Sequence, residues 1–184
     1  MGLDIFYSVN NDEQIFDFDY LTNDQLQEKH RLSRTFASFM SRKHVVTNNE
    51  KPEIDQISEF TNIDLSLIGI LDEIPNLDEL EEIMEFDPEY AEKQKQEYKI
   101  QLRKIENNID KIASLLSELI SRLNEKEDVY QLLQPTSFDS LFNSSYFKKS
   151  TEGNDNFYKD LNNFQNFVQY AQSKGTQTIW LKYQ

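Results

Sequence analysis

Cysteine is missing from this 184-residue chain, which removes disulfide scaffolds, thiolate metal sites and cysteine nucleophiles from consideration. Glycine is nearly missing too: Gly2, Gly69, Gly153 and Gly175 stand far apart. No loop can therefore cradle phosphates as a P-loop or a dinucleotide-binding turn does. No serine sits in a G-x-S-x-G elbow, so a nucleophile of the α/β-hydrolase kind has no support. Apolar runs such as Leu67 to Leu71 are far shorter than the roughly 20 residues that cross a bilayer. The start of the chain lacks the charged and apolar regions of a signal peptide, so a cytoplasmic location with no membrane partner is the expectation. Gly2 suggests lipidation, but that pattern wants Ser or Thr where Phe6 stands.

What is abundant is acid. The formal charge is -14, and its placement is uneven. Residues 1 to 28 carry Asp4, Asp12, Glu13, Asp17, Asp19, Asp24 and Glu28 with no Lys or Arg, a net -7. Residues 29 to 44 carry Lys29, Arg31, Arg34, Arg42 and Lys43 with no acid, a net +5. Residues 50 to 90 hold fourteen acids against Lys51 alone, a net -13, and the remainder is close to neutral at +1. Such a field repels nucleic acid and membrane surfaces and favours basic partners. Flanked by acid on both sides, the five bases are expected to neutralise the chain's own carboxylates rather than bind phosphate.

Apolar periodicity predicts an α+β fold, predominantly helical, with a small sheet that includes the N- and C-terminal strands packed on helices. Leu3 to Val9 and Thr178 to Tyr183 alternate as strands do and are expected to share that sheet. A further strand is possible around Phe138 to Phe147. A first helix is expected from Thr22, where Thr22 and Gln25 fit a capping box, to about Lys43, burying Leu32, Phe36, Phe39 and Met40. Pro52 opens a shorter helix with Ile54, Ile57 and Phe60, and another spans roughly Leu77 to Phe86. The last runs from about Asp155 to Ser173, with Gly175 as its C-terminal cap. The late aromatics from Phe138 to Tyr170 read mostly as core.

The strongest pattern is a heptad seam: Tyr98, Leu102, Ile105, Ile109, Ile112, Leu116, Leu119 and Leu123, spaced alternately by four and three. An unbroken helix from Pro88 to Asn124 would be about 55 Å long, so it must project, bend or pair. One domain over 1-184 is expected, with residues 88-111 as a possible projecting extension and residues 112-123 in the core. A helical hairpin within the chain or a homodimer through Tyr98, Leu102, Ile105 and Ile109 would each use the seam.

Several segments resemble a family of phage and bacterial proteins whose members begin MGLD before an aromatic strand. Here the start reads MGLDIFY, followed by RLSRTFASFM at Arg31 to Met40, LLQPTSF at Leu132 to Phe138, FNSSY at Phe142 to Tyr146 and YKDL at Tyr158 to Leu161. The chain departs from that pattern at Asn143, where the family usually has glycine. The resemblance implies a phage or prophage-like origin and no catalytic residue to carry over.

Chemistry-bearing residues are sparse. His30 stands four residues before Arg34, where a helix sets the two together and a cation lowers an imidazole pKa; an exposed histidine on a polar face is the plainer reading. Asp17 and Asp19 lack the central glycine of a calcium loop and read as a solvated acidic loop. No cofactor and no metal site is expected. The leading expectation is a small inhibitor-like or immunity-like binding protein whose acids Asp72, Glu73, Asp78, Glu79, Glu81, Glu82 and Glu85 engage a basic protein partner. The alternatives are a carboxylate enzyme dependent on a divalent metal, and a structural dimer.

Overall fold

Alternation near both ends of the sequence does produce a sheet. The structure, a computed structural model, describes residues 4-46, 50-75, 85-126, 128-136, 144-149 and 156-184. Strands β1 (Ile5–Val9) and β2 (Ile179–Tyr183) pair antiparallel, Ile5 opposite Tyr183 and Val9 opposite Ile179. Asp4 and Gln184 extend the ladder by exchanging backbone hydrogen bonds of 3.2 and 3.1 Å. At the other end, Asn10 Oδ1 accepts from the backbone N–H groups of Gln177 and Thr178 at 2.9 and 2.8 Å.

Between the strands the chain is helical. Three short helices follow β1: α1 (Asp12–Ile15), α2 (Phe18–Leu21) and α3 (Asp24–His30). Then come α4 (Arg34–Ser41), α5 (Glu53–Thr61), α6 (Ser66–Gly69), α7 (Pro88–Lys104), α8 (Ile109–Glu125), α9 (Val129–Leu132) and α10 (Phe157–Ser173). Predominantly helical α+β is thus the fold class, with the small sheet built from the two expected strands.

The core forms where the apolar stripes of α8 and α10 meet. Ile109, Ile112, Leu116, Leu119 and Leu123 pack with Phe157, Leu161, Phe164, Phe167 and Val168, and with β1, β2, α4 and α5 around them. At roughly 2 kcal/mol per fully buried large apolar side chain, this cluster dominates the stability. Asn156 caps α10, its Oδ1 accepting from Lys159 N at 2.9 Å. Gly175 closes the other end at φ +82, with Thr176 N bonding back to Ala171 O at 3.1 Å, as a glycine C-cap does.

Two expected helices are broken. The expected helix from Thr22 to Lys43 is split into α3 and α4, and its cap is Asn23, whose Oδ1 accepts from Leu26 N, not Thr22. The reason lies on α10. Ser33 caps α4 through Oγ, which accepts from Phe36 N, and the buried carboxylate of Asp160 accepts from Ser33 N at 2.9 Å and Ser33 Oγ at 2.6 Å. Tyr146 OH donates to the same carboxylate at 2.7 Å, and Asn163 donates to Arg31 O at 2.7 Å. Long-range partners thus satisfy the backbone groups that a helix break exposes.

The heptad seam is split as well. Lys104 ends α7, Asn107 takes φ 56, a conformation asparagine tolerates better than most residues, and Asn108 restarts the helix. Buried Asn108 then lies along the outer edge of β2, giving Nδ2 to Ile179 O at 2.8 Å and accepting Ile179 N on Oδ1 at 2.9 Å. Ile109 N reaches Gln177 O. One side chain thereby stands in for a strand neighbour, so no 55 Å helix forms. Along α7 only Ala91 is fully buried among its residues, while Tyr98 and Leu102 pack against a small cluster of Ile74, Ile105 and Trp180. Of the four positions expected at a dimer seam, Ile105 and Ile109 are buried within the chain and offer no free face. Ser144–Phe147, the described end of the possible third strand, is a 3-10 turn.

Candidate functional site

The expected acidic patch divides on inspection. Asp72 is enclosed: its carboxylate pairs with Lys43 Nζ at 2.5 Å, accepts from Tyr183 OH at 2.6 Å and lies 3.7 Å from His44 Nε2. It ties β2 to the turn after α4 and presents nothing to a partner. Burial and this carboxylate push the Tyr183 phenol well above its ordinary range. Glu73 shares Lys43 at 3.5 Å, Glu85 is exposed, and Asp78, Glu79, Glu81 and Glu82 lie outside the described residues.

The basic segment is consumed inside the fold. Arg34 grips Asp4 with two hydrogen bonds of 2.7 and 3.2 Å, which holds the Asp4 carboxyl below its usual range. Arg31 meets Glu28 at 3.8 Å. Arg42 is buried with Glu53 at 2.5 Å and also bonds Thr136. Asp17 caps α2, accepting from Tyr20 N at 2.8 Å, and pairs with Lys174 at 3.7 Å. Among the described residues no three His, Cys, Asp or Glu side chains converge as metal ligands, and no helix is long and apolar enough to cross a membrane.

A groove of about 1020 Å³ opens between β1, α2, α3 and the start of α4. Its wall is apolar and aromatic, with Ile5, Phe6, Tyr7, Phe16, Tyr20 and Leu32; Asp4, Asp24, Glu28, Arg31 and Arg34 also line it. Phe6 and Leu21 are 44% and 59% exposed at its mouth. Tyr7 stacks on Phe167 at 3.8 Å between centroids, Phe16 and His30 pack on the same Phe167 ring, and Tyr20 meets Phe16 edge-on.

His30 lines this groove and is only 4% exposed, not the exposed residue expected of a polar helix face. Its Nδ1 lies 3.3 Å from Tyr20 OH, and its ring stacks near Tyr20 and Tyr170. Burial, with Lys29 adding repulsion, drops its pKa to about 4; Arg34 is not a cause. The imidazole is therefore neutral at pH 7 and adds no positive charge to the groove. Tyr20 is pushed up to about 12 by burial and by Tyr170. A base with so low a pKa is poorly matched to proton transfer near neutrality. The arrangement is suited to binding.

The sequence reading missed this site. Its weak signal was an apolar, aromatic N-terminal segment mixed with unneutralised acid, Phe6 to Asp24. No family model, curated protein or solved structure matches the chain.

Proposed function

We propose that the protein acts by binding a basic polypeptide through its acidic first half, as an inhibitor-like or immunity-like protein that masks a basic surface. The observation that carries this reading is the distribution of unpaired charge. Four of the five bases in residues 29-44 pair with acids of the fold. Exposed acids are left over. Glu13, Asp19 and Asp24 have no ion-pair partner among the described residues, and neither do Glu85, Asp87, Glu89 and Glu92. Unpaired surface charge of one sign steers association and sets partner choice.

Fluorescence anisotropy with a labelled arginine-rich peptide tests the reading. Binding is expected at low salt and weakens as salt rises, because screening acts over roughly 8 Å at physiological ionic strength. Reversing Asp19 and Asp24, or Glu85, Glu89 and Glu92, to lysine should cut affinity about tenfold or more in one set, which is about 1.4 kcal/mol. An absence of binding at low salt, or affinity unchanged from the parent in both reversed proteins, removes the proposal.

A further inference from the structure

The groove beside β1 suits a narrower role, which rests on the basic-partner reading. We propose that it holds a lysine or arginine side chain of the partner, the stem on the aromatic wall and the charge against Asp24. Three observations converge on this occupant.

The first is the free charge of the rim. Both arginines there are committed, Arg34 to Asp4 through two hydrogen bonds and Arg31 to Glu28. Asp24 lines the groove, is exposed and has no ion-pair partner among the described residues. The unspent charge is therefore negative. The second is the wall. Phe6 and Phe16 offer ring surface, with the buried Tyr20 ring behind them, and such surface attracts cations electrostatically and accepts aliphatic stems. The neutral His30 imidazole does not oppose a cation there.

The third is an internal precedent. Lys174 is already held against the same aromatic cluster by this combination of groups. Its Nζ lies 5.6 Å from the Tyr170 ring centroid and 3.7 Å from Asp17, and Tyr170 packs on Tyr20 at 5.5 Å. The groove presents the same pairing, aromatic face and carboxylate, and no lysine is among its described lining residues.

Backbone amide NMR spectra of the full chain, titrated with Nα-acetyl-arginine amide, Nα-acetyl-lysine amide and the uncharged Nα-acetyl-norleucine amide, test the assignment. Saturable shifts are expected at Phe6, Tyr20, Asp24 and Gln27 with either cation and not with norleucine. Asp24→Asn should weaken binding roughly threefold, the scale of one exposed ion pair. Its helix cap on Asn23 remains, so the variant should fold. Gln27→Trp, filling the groove from its rim, should abolish the shifts.

Equal response to norleucine, no response to either cation, or shifts confined to Glu85–Glu92 overturns the groove assignment. An arginine-rich peptide measured alongside separates the two proposals. If it binds with shifts only at Glu85–Glu92, the groove falls and the basic-partner reading stands. If the amides bind in the groove and the peptide does not bind, the reverse holds.

Discussion

Lowering the pH from about 6.5 toward 4 should cost this protein stability through one buried residue, His30. In the folded state its imidazole takes up a proton only near pH 4, against an ordinary value of 6.5. Between these values the unfolded chain binds more protons than the folded one, so stability rises with pH through the window. The contribution is complete above pH 6.5 and is lost as pH falls to about 4. The full gap corresponds to about 3 kcal/mol, at about 1.36 kcal/mol per pH unit. Between about pH 7.5 and pH 5, His30 accounts for about 2 kcal/mol by the same linkage, and about 1–2 kcal/mol once water in the groove is allowed for. Urea unfolding at the two pH values measures it. Carboxylates such as Asp4 also titrate on acidification, so the comparison is with His30→Gln, which keeps a hydrogen-bonding group near Tyr20 OH. The variant should lose less stability than the parent across the interval. Equal losses would refute the account, as would an imidazole that titrates by NMR near 6.5 in the folded protein.

Other substitutions probe the joints of the fold. Asn108→Ala removes both hydrogen bonds to Ile179 and leaves buried backbone groups unpaired, a loss of about 2–4 kcal/mol, readable as a lower urea midpoint and as faster amide exchange at Ile179. Arg42→Met strands Glu53 in the interior and should cost about 3–5 kcal/mol. Adding Glu53→Leu should recover much of that loss, and a double variant as unstable as the single one would contradict the pairing. Tyr7 OH is buried without a hydrogen-bond partner among the described residues, so Tyr7→Phe should leave thermal stability unchanged or raise it by up to about 1 kcal/mol; a loss larger than that would mean the hydroxyl is satisfied in solution.

Local pattern made much of the framework legible. The alternation at Ile5 to Val9 and Ile179 to Tyr183, the stripe from Phe157 to Ala171, and the caps at Pro52 and Gly175 are decided by neighbours within a few residues, and the structure follows them. The helix breaks are of another kind. Apolar spacing runs straight through Ile105 and Ile109, and what interrupts it is a bond between Asn108 and Ile179, a strand far away in sequence. Ser33 breaks the first helix for a carboxylate on α10. His30 was misplaced for the same reason, since its burial is created by Phe167 and Tyr170, which no reading of the α3 sequence contains. Asp72, counted with an acidic surface, is enclosed by Lys43 and Tyr183 from two other elements. For the groove, composition showed the acid and the aromatics, but their convergence depends on how α2 and α3 fold back on β1.

Pairing of β1 with β2 also sets the order in which the protein can be made. Synthesis proceeds from the N-terminal side, so β1 leaves the ribosome with its apolar face ready and its partner not yet translated. The ladder closes only after Ile179–Tyr183 has been added, and such distant contacts carry the largest loop-closure cost. Until then the wall of the groove, which β1 supplies, has no fixed position. A ribosome-bound chain stalled before β2 should hold helices without a groove.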